Sequence, residues 1–333
     1  MAEIVEKPKR FSAREVARRV FRHENAILVV ILIAIVAGIS SRTKGLTTSR
    51  GNIMNVTLQS SMRGLASIGQ AFVILTGGID ISIGGLALAS ACLGAGLMTS
   101  EYYNIIGTPL PISIGIGIML LVGLGVGAFN GLLISRIGMP ALIVTLAMWQ
   151  ILTGIGYQVT GGTTFLYLPQ SLAFFGQGYI AGVPVPVIIF VAAAVAAYFV
   201  LYHTTFGRSV YAVGGNPVST WLSGVNVKRV QLTVYVISGF LAALAGVIAL
   251  SRAMAASLYT AAGLELDSIA SVVIGGVSLA GGRGTLIGPI IGVFIIGVIN
   301  NGLNAMGVPP QSQDILKGVI ILVAVMIDHL RRR

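Results

Sequence analysis

The apolar residues of this chain come in runs of roughly 17 to 25, the length a helix needs to cross the hydrocarbon core of a bilayer, cut by short polar or glycine-rich intervals. The runs place membrane spans near 26–41, 53–76, 83–98, 112–135, 139–160, 184–202, 231–250, 268–280, 285–305 and 314–329. The pattern therefore predicts an all-α integral membrane protein, a polytopic bundle of about ten transmembrane helices. The run 268–280 is too short to cross unaided, so it and the interval around TGGIDISIGG read as broken or re-entrant helices. One transmembrane domain over 26–333 follows, preceded by an arm over 1–25 and interrupted by a polar segment over 207–230.

Glycine spacing adds how the helices pack. Gly123, Gly127 and Gly131 recur every four residues, as do Gly284, Gly288 and Gly292. In lipid, burying apolar side chains gains little, so close backbone approach through small residues is the available packing force. Both stripes are expected to be helix contacts.

Composition agrees: 55% of the 333 residues are hydrophobic, 9% are charged and the mean hydropathy is +0.93. The net charge of +11 is distributed for a membrane rather than for nucleic acid. Seven of the 21 basic residues lie in the first 22 positions and three close the chain, marking ends and loops as the positive-inside bias requires. A cytoplasmic N terminus then puts Arg136, the segment 207–230, Arg283 and Arg331 to Arg333 on the cytoplasmic side. Both termini are expected there. Arg42, Lys44, Arg50 and Arg252 fall on the outer side, and Arg63 and Lys317 within or near span ends. In the arm, Ser12 and Glu15 have capping-box spacing and Phe11 can staple onto Val16, giving a short basic amphipathic helix for anionic headgroups.

Candidate chemistry is sparse. Asp80 is the one acidic residue between Glu24 and Glu101. At such a depth it reads either as a functional group or as a cap for the helix that restarts after Gly77 and Gly78. Asn300, Asn301 and Asn304, with Gln59, Gln70, Asn130 and Gln150, are candidates for a hydrophilic path, or for hydrogen bonds between helices. Cys92 sits alone in an apolar run, and the three histidines lie at run ends, so no metal site is assigned. There is no Gly-Lys dipeptide, hence no phosphate-binding GxxxxGK[ST] loop and no ATPase. No array of buried carboxylates or histidines provides a proton relay either, so the driving energy is expected from another chain.

The segment 207–230 carries its own helix signals. Asn216 is a good N-cap, Pro217 suits the first helical position and Gly224 can close the helix in the left-handed conformation. Val218, Trp221 and Leu222 then share one face as an apolar ridge flanked by Arg208, Lys228 and Arg229. Such a ridge meets either a partner protein or the bilayer surface, with Trp221 at the headgroups.

TGGIDISIG (76–84), FNGLLISRIGMPALIVTLA (129–147), GRSVYAVGGNP (207–217), the glycine-rich 275–304 and ILKGVIILVAVMID (315–328), in that order, resemble the membrane permease of ribose-type ATP-binding-cassette importers, which include xylose, arabinose and galactoside systems. Arg283 and the paired Asn300 and Asn301 match the family pattern. The resemblance implies a transport subunit that performs no covalent chemistry. Its partners would be a second permease copy or a homologous permease, cytoplasmic ATPase domains that bind ATP and Mg, often fused in tandem, and a periplasmic or lipid-anchored sugar-binding protein. Pentose or hexose is the leading solute, with a nucleoside or a furanosyl signalling molecule as the alternative. The resemblance makes Gly214, Gly215, Asn216, Pro217, Val218, Trp221, Leu222 and Gly224 the coupling helix that seats in the ATPase. Arg42, Lys44, Arg50 and Arg252 become candidates for docking the binding protein. A secondary carrier or channel built around Asp80 is the rival from another class.

Overall fold

The computed structural model describes residues 24–100 and 104–330. The expected helix of the N-terminal arm and the terminal Arg331 to Arg333 lie outside the described residues. Among them are 13 α-helices and almost no sheet, and a helix stands at each of the ten places where the apolar runs predict one. These are α1 (Glu24–Arg42), α2 (Arg50–Leu75), α3 (Ser82–Met98), α4 (Ile112–Leu132), α5 (Ala141–Thr160), α7 (Val185–His203), α10 (Val227–Ala253), α11 (Leu264–Ile274), α12 (Ile287–Ala305) and α13 (Pro310–Leu330). The short α6 (Ala173–Gln177) precedes a hairpin of β1 (Tyr179–Ile180) and β2 (Val183–Pro184), and α8 (Thr205–Gly215) and α9 (Pro217–Leu222) fill the polar segment.

Six helices are long and apolar enough to cross a membrane: α1, α4 with its π-helical extension to Ile137, α5, α7, α10 and α12. The other four depart for identifiable reasons. The 26-residue α2 and the 21-residue α13 have the length but carry Arg63 and Lys317 in their interiors. With 17 and 11 residues, α3 and α11 are short. The expected span 268–280 is corrected: α11 starts four residues earlier and stops at Gly275. Its first turn includes Glu265 and Asp267, which a purely apolar pattern leaves out and which suit the positive end of a helix. Beyond it, 275–286 is a loop with left-handed Gly276, Gly281 and Gly282.

Helix α10 is the centre of the bundle and packs on α2, α3 and α4. The first glycine stripe makes one of these contacts. A Cβ on Gly123 would sit 2.6 Å from the Gly239 carbonyl, and one on Gly131 3.0 Å from Leu232 Cα, so α4 lies directly on the α10 backbone. In the second stripe, Gly288 and Gly292 bring α12 onto Gly275 and Ser271 of α11. Gly284 stands outside the helix, in the loop before it, at φ 132°. The core gathers Leu65, Phe72, Leu75, Ile83, Leu86, Val234, Tyr235 and Ile248, whereas Leu121, Ile143, Val195 and Leu322 leave exposed apolar faces on α4, α5, α7 and α13.

Candidate functional site

At one end of the bundle the chain builds α8 and α9 as two consecutive short helices, each with its own N-cap. The Thr204 hydroxyl accepts the Gly207 amide at 3.1 Å, and Asn216 Oδ1 accepts the Ser219 amide at 3.0 Å. Pro217 takes the first helical position of α9 and Gly224 adopts φ 84° just beyond it, as the sequence predicts. The face of α9 is then fixed. Thr220 turns inward, while Val218, Trp221 and Leu222 are 65%, 66% and 72% exposed. Val218 and Trp221 border a groove of about 780 Å³ whose other wall includes Ile134, Gly138 and Lys228.

Gly214 ties this cap to the end of α2 and to the 275–286 loop. A Cβ there would run into the Leu75 carbonyl at the end of α2 and the Gly282 amide, which hydrogen-bond each other at 2.9 Å. Gly215, by contrast, faces open space. The Tyr211 hydroxyl donates to the Gly284 carbonyl at 3.1 Å, and burial pushes its pKa upward, so the phenol stays a donor. The Tyr202 hydroxyl accepts the Leu286 amide at 3.0 Å. Thus the GGNP and GGRG motifs meet at the end of α2. Sequence reasoning took in Gly214 but missed α8 itself, Tyr211 and Gly281 to Gly282; only the glycine density of 275–284 hints at such an approach.

The candidate path residues separate into distinct settings. Asp80 is 2% exposed. Its Oδ1 accepts the Ser82 amide at 3.0 Å and the Ser82 hydroxyl, and its Oδ2 accepts the Ser238 hydroxyl at 2.7 Å. Asn130 Nδ2 donates to Ser82 Oγ at 3.0 Å. Asp80 and Asn130 therefore lock the helix break. Gln70 and Asn300 are buried in helix contacts without hydrogen-bond partners, and Gln150 is exposed on α5.

Gln59 belongs to something the sequence reading did not assemble. Asn52, Asn55, Gln59 and Arg63 recur along one face of α2, and each meets a partner from another element or from the stripe itself. Asn52 and Asn301 exchange two bonds of 2.7 and 2.9 Å. Arg252 Nη2 donates to Asn55 Oδ1 at 2.9 Å, and Arg63 Nη1 to Gln59 Oε1 at 3.4 Å. Arg63 Nε lies 2.8 Å from Asp267 Oδ2, and Lys317 Nζ 3.3 Å from Asp267 Oδ1. Arg63 is the fourteenth of the 26 residues of α2, so this ion cluster sits halfway along the helix, where charge is costly and serves function by default. The spacing of these residues was visible, but their partners lie some two hundred positions away. Asn304 stands nearer one end, accepting Gln313 Nε2 at 2.8 Å.

Of the four basic residues proposed to meet a binding protein, Arg42, Lys44 and Arg50 are exposed on and around the short connection between α1 and α2. Arg252 is half-buried and turned toward Asn55.

Comparison with known proteins agrees with this architecture. The chain is 37% identical over 313 residues to the ribose import permease protein of Escherichia coli strain K12, covering 93% of this chain and 94% of that one. It is 43% identical over 280 residues to the Bacillus subtilis strain 168 ribose import permease protein, covering 84% of each. To the xylose transport system permease protein of Haemophilus influenzae it is 32% identical, covering 92% and 96%. No solved structure matches the chain. A family model described as "branched-chain amino acid transport system / permease component" matches residues 52–325. With that match over most of its length, and these relatives, the chain belongs to this family of transport-system permeases.

Proposed function

We propose that the chain is the membrane permease subunit of an ATP-binding-cassette importer in the bacterial inner membrane, taking up a monosaccharide, with ribose the first solute to test. The observation that carries this reading is the exposed ridge of Val218, Trp221 and Leu222, joined through Gly214 to the end of α2. An apolar ridge flanked by Arg208, Lys228 and Arg229 fits a partner ATPase, which would bind the ATP and Mg. The relatives' names favour a sugar over the amino acids in the family description.

In this reading the α8–α9 end is cytoplasmic, two permease copies form the pathway, and a sugar-binding protein docks at the opposite end near Arg42, Lys44 and Arg50. ATP-driven closure of the ATPases pushes α9, and the Gly214 contact passes the movement to α2 and the 275–286 loop. Asp80 serves as a lock of the helix break rather than as a solute ligand.

The test is uptake of radiolabelled ribose by vesicles holding the permease with its ATPase and binding protein. Uptake is expected to require ATP and to survive collapse of ion gradients; the reverse dependence makes the chain a secondary carrier. A central aromatic anchor costs about 2 kcal/mol on truncation, more than tenfold in affinity. Trp221→Ala should therefore leave the permease inserted while reducing ATPase co-purification by about that factor. Full ATPase recovery would instead assign the ridge to the bilayer surface.

A further inference from the structure

Between α10 and α11 the chain runs without helix over 254–263, and both ends of this stretch are pinned to the polar stripe of α2. At one end Arg252 bonds Asn55 at 2.9 Å, and at the other Asp267 pairs with Arg63 at 2.8 Å. The eight helical steps from Asn55 to Arg63 cover about 12 Å. The same path is marked on α3. Ala256 exchanges backbone hydrogen bonds of 2.8 and 3.1 Å with Phe165, whose ring packs by Gly96. The Glu265 carboxylate rests against Gly84. Those twelve residues of α3 correspond to about 18 Å. The stretch thus travels lengthwise along α2 and α3, to the depth of the ion cluster at the middle of α2.

Irregular backbone at membrane depth is stable only when it is buried in protein or lines a water-filled cavity, because lipid satisfies none of its polar groups. This stretch is only partly covered: Ala256 is buried, but Tyr259 is 86% exposed. It holds itself in tight turns, with the Thr260 amide on the Ser257 carbonyl at 2.9 Å and the Ala262 amide on the Tyr259 carbonyl at 3.1 Å. Met254 and Ala261 take left-handed conformations at φ 49° and 63°. For irregular backbone at this depth, an exposed aromatic ring fits a water-filled lining better than a lipid face.

We infer that the stretch 254–263 and the α2 stripe line the aqueous solute pathway at mid-membrane, with the Tyr259 ring as its aromatic contact for a neutral polyhydroxylated solute. Arg63 and Lys317 share the Asp267 carboxylate and Lys317 also reaches Asp314 at 3.5 Å, two cations against two carboxylates, so the site offers hydrogen-bond donors whose charges are paired. An aromatic face suits the C–H face of a sugar ring, while Gln59, Arg63 and Lys317 suit its hydroxyls. The identity of the solute rests on the importer reading above; the position of the pathway does not.

The full chain carries one cysteine, Cys92, which is buried, so it serves as the background for Tyr259→Cys in native membrane vesicles holding the whole transporter. A membrane-impermeant, positively charged thiosulfonate should modify Tyr259→Cys at least about tenfold faster than Val195→Cys on the exposed apolar face of α7. Modification only by a lipid-soluble maleimide would overturn the pathway. In ribose uptake, Tyr259→Phe should keep at least about half the wild-type kcat/KM, and Tyr259→Ala should lose about tenfold at equal protein level. Wild-type uptake by Tyr259→Ala would overturn the aromatic contact. Rapid labelling together with no ribose uptake by the unmodified transporter would leave the pathway standing and sink the ribose-importer reading alone.

Discussion

At the scale of single residues, Asp80 shows how an intramembrane acid can serve architecture. Its two oxygens accept the Ser82 amide, the Ser82 hydroxyl and the Ser238 hydroxyl, at a site closed to solvent. Asparagine preserves the accepting Oδ1, and the Ser238 hydroxyl can rotate to accept from the new amide, since a hydroxyl both donates and accepts. Leucine removes every acceptor and leaves buried donors unmatched, at about 1–3 kcal/mol for each. Asp80→Asn should therefore give a monodisperse permease that unfolds within a few degrees of wild type and transports, whereas Asp80→Leu should fail in yield and thermal stability. An Asn variant that is folded but inactive would mean that the carboxylate charge itself is required, and would return Asp80 to the solute pathway.

At the scale of elements, the proposed coupling route from α8 to α2 runs through a backbone contact at Gly214. A methyl on Gly214 meets the Leu75 carbonyl and the Gly282 amide and wedges apart their 2.9 Å hydrogen bond, while one on Gly215 meets nothing. Gly214→Ala is expected to keep the ATPase bound through the untouched α9 ridge but to cut ribose uptake about tenfold, with Gly215→Ala close to wild type. Equal behaviour of the two would exclude this contact as the route of coupling. The asymmetry was not legible in the sequence, where Gly214 and Gly215 are equivalent neighbours. Helix existence was legible, because apolar run length follows directly from bilayer thickness. The cap at Asn216, the proline start and the Gly224 stop of α9 were also legible, since each is a local rule. The acidic start of α11 and the role of Arg63 were not, because charges cancel only when helices distant in sequence come together. The gap at 254–263 was legible between the runs 231–250 and 268–280, but its depth beside Arg63 was not, since the residues AASLYTAAG between Met254 and Leu264 carry no mark of it.

At the scale of the whole molecule, four contacts gather the start of α1, the end of α13 and the α8–α9 cap at one face of the bundle. Thr285 Oγ1 lies 3.3 Å from Asn25 Oδ1, at the start of α1. The Leu279 amide donates to Asp328, in the last turn of α13, at 3.4 Å. Tyr211 binds Gly284 and Gly214 abuts Gly282, which brings the α8–α9 cap to the same loop. Among the described residues this face also receives Arg136, Arg208, Lys228, Arg229 and Arg283, against Arg42, Lys44, Arg50 and Arg252 toward the other, a difference too small to orient a protein. The sequence flanking the described helices supplies the bias: seven basic residues precede Glu24, within the first 22 positions, and three follow Leu330. Basic residues close to span ends are retained in the cytoplasm. Reporter domains fused at either terminus should both be active only in the cytoplasm, and cysteines placed at Trp221 and at Lys44 should label from opposite sides of sealed cells. Removing the seven N-terminal charges should weaken this orientation more than neutralising Arg136 and Arg208 together, because charges at the first span dominate insertion. Termini found on opposite faces would break the contacts at Asn25 and Asp328 and, with them, the ten-helix arrangement; both termini outside would leave the fold intact but put the α9 ridge beyond the reach of any ATPase.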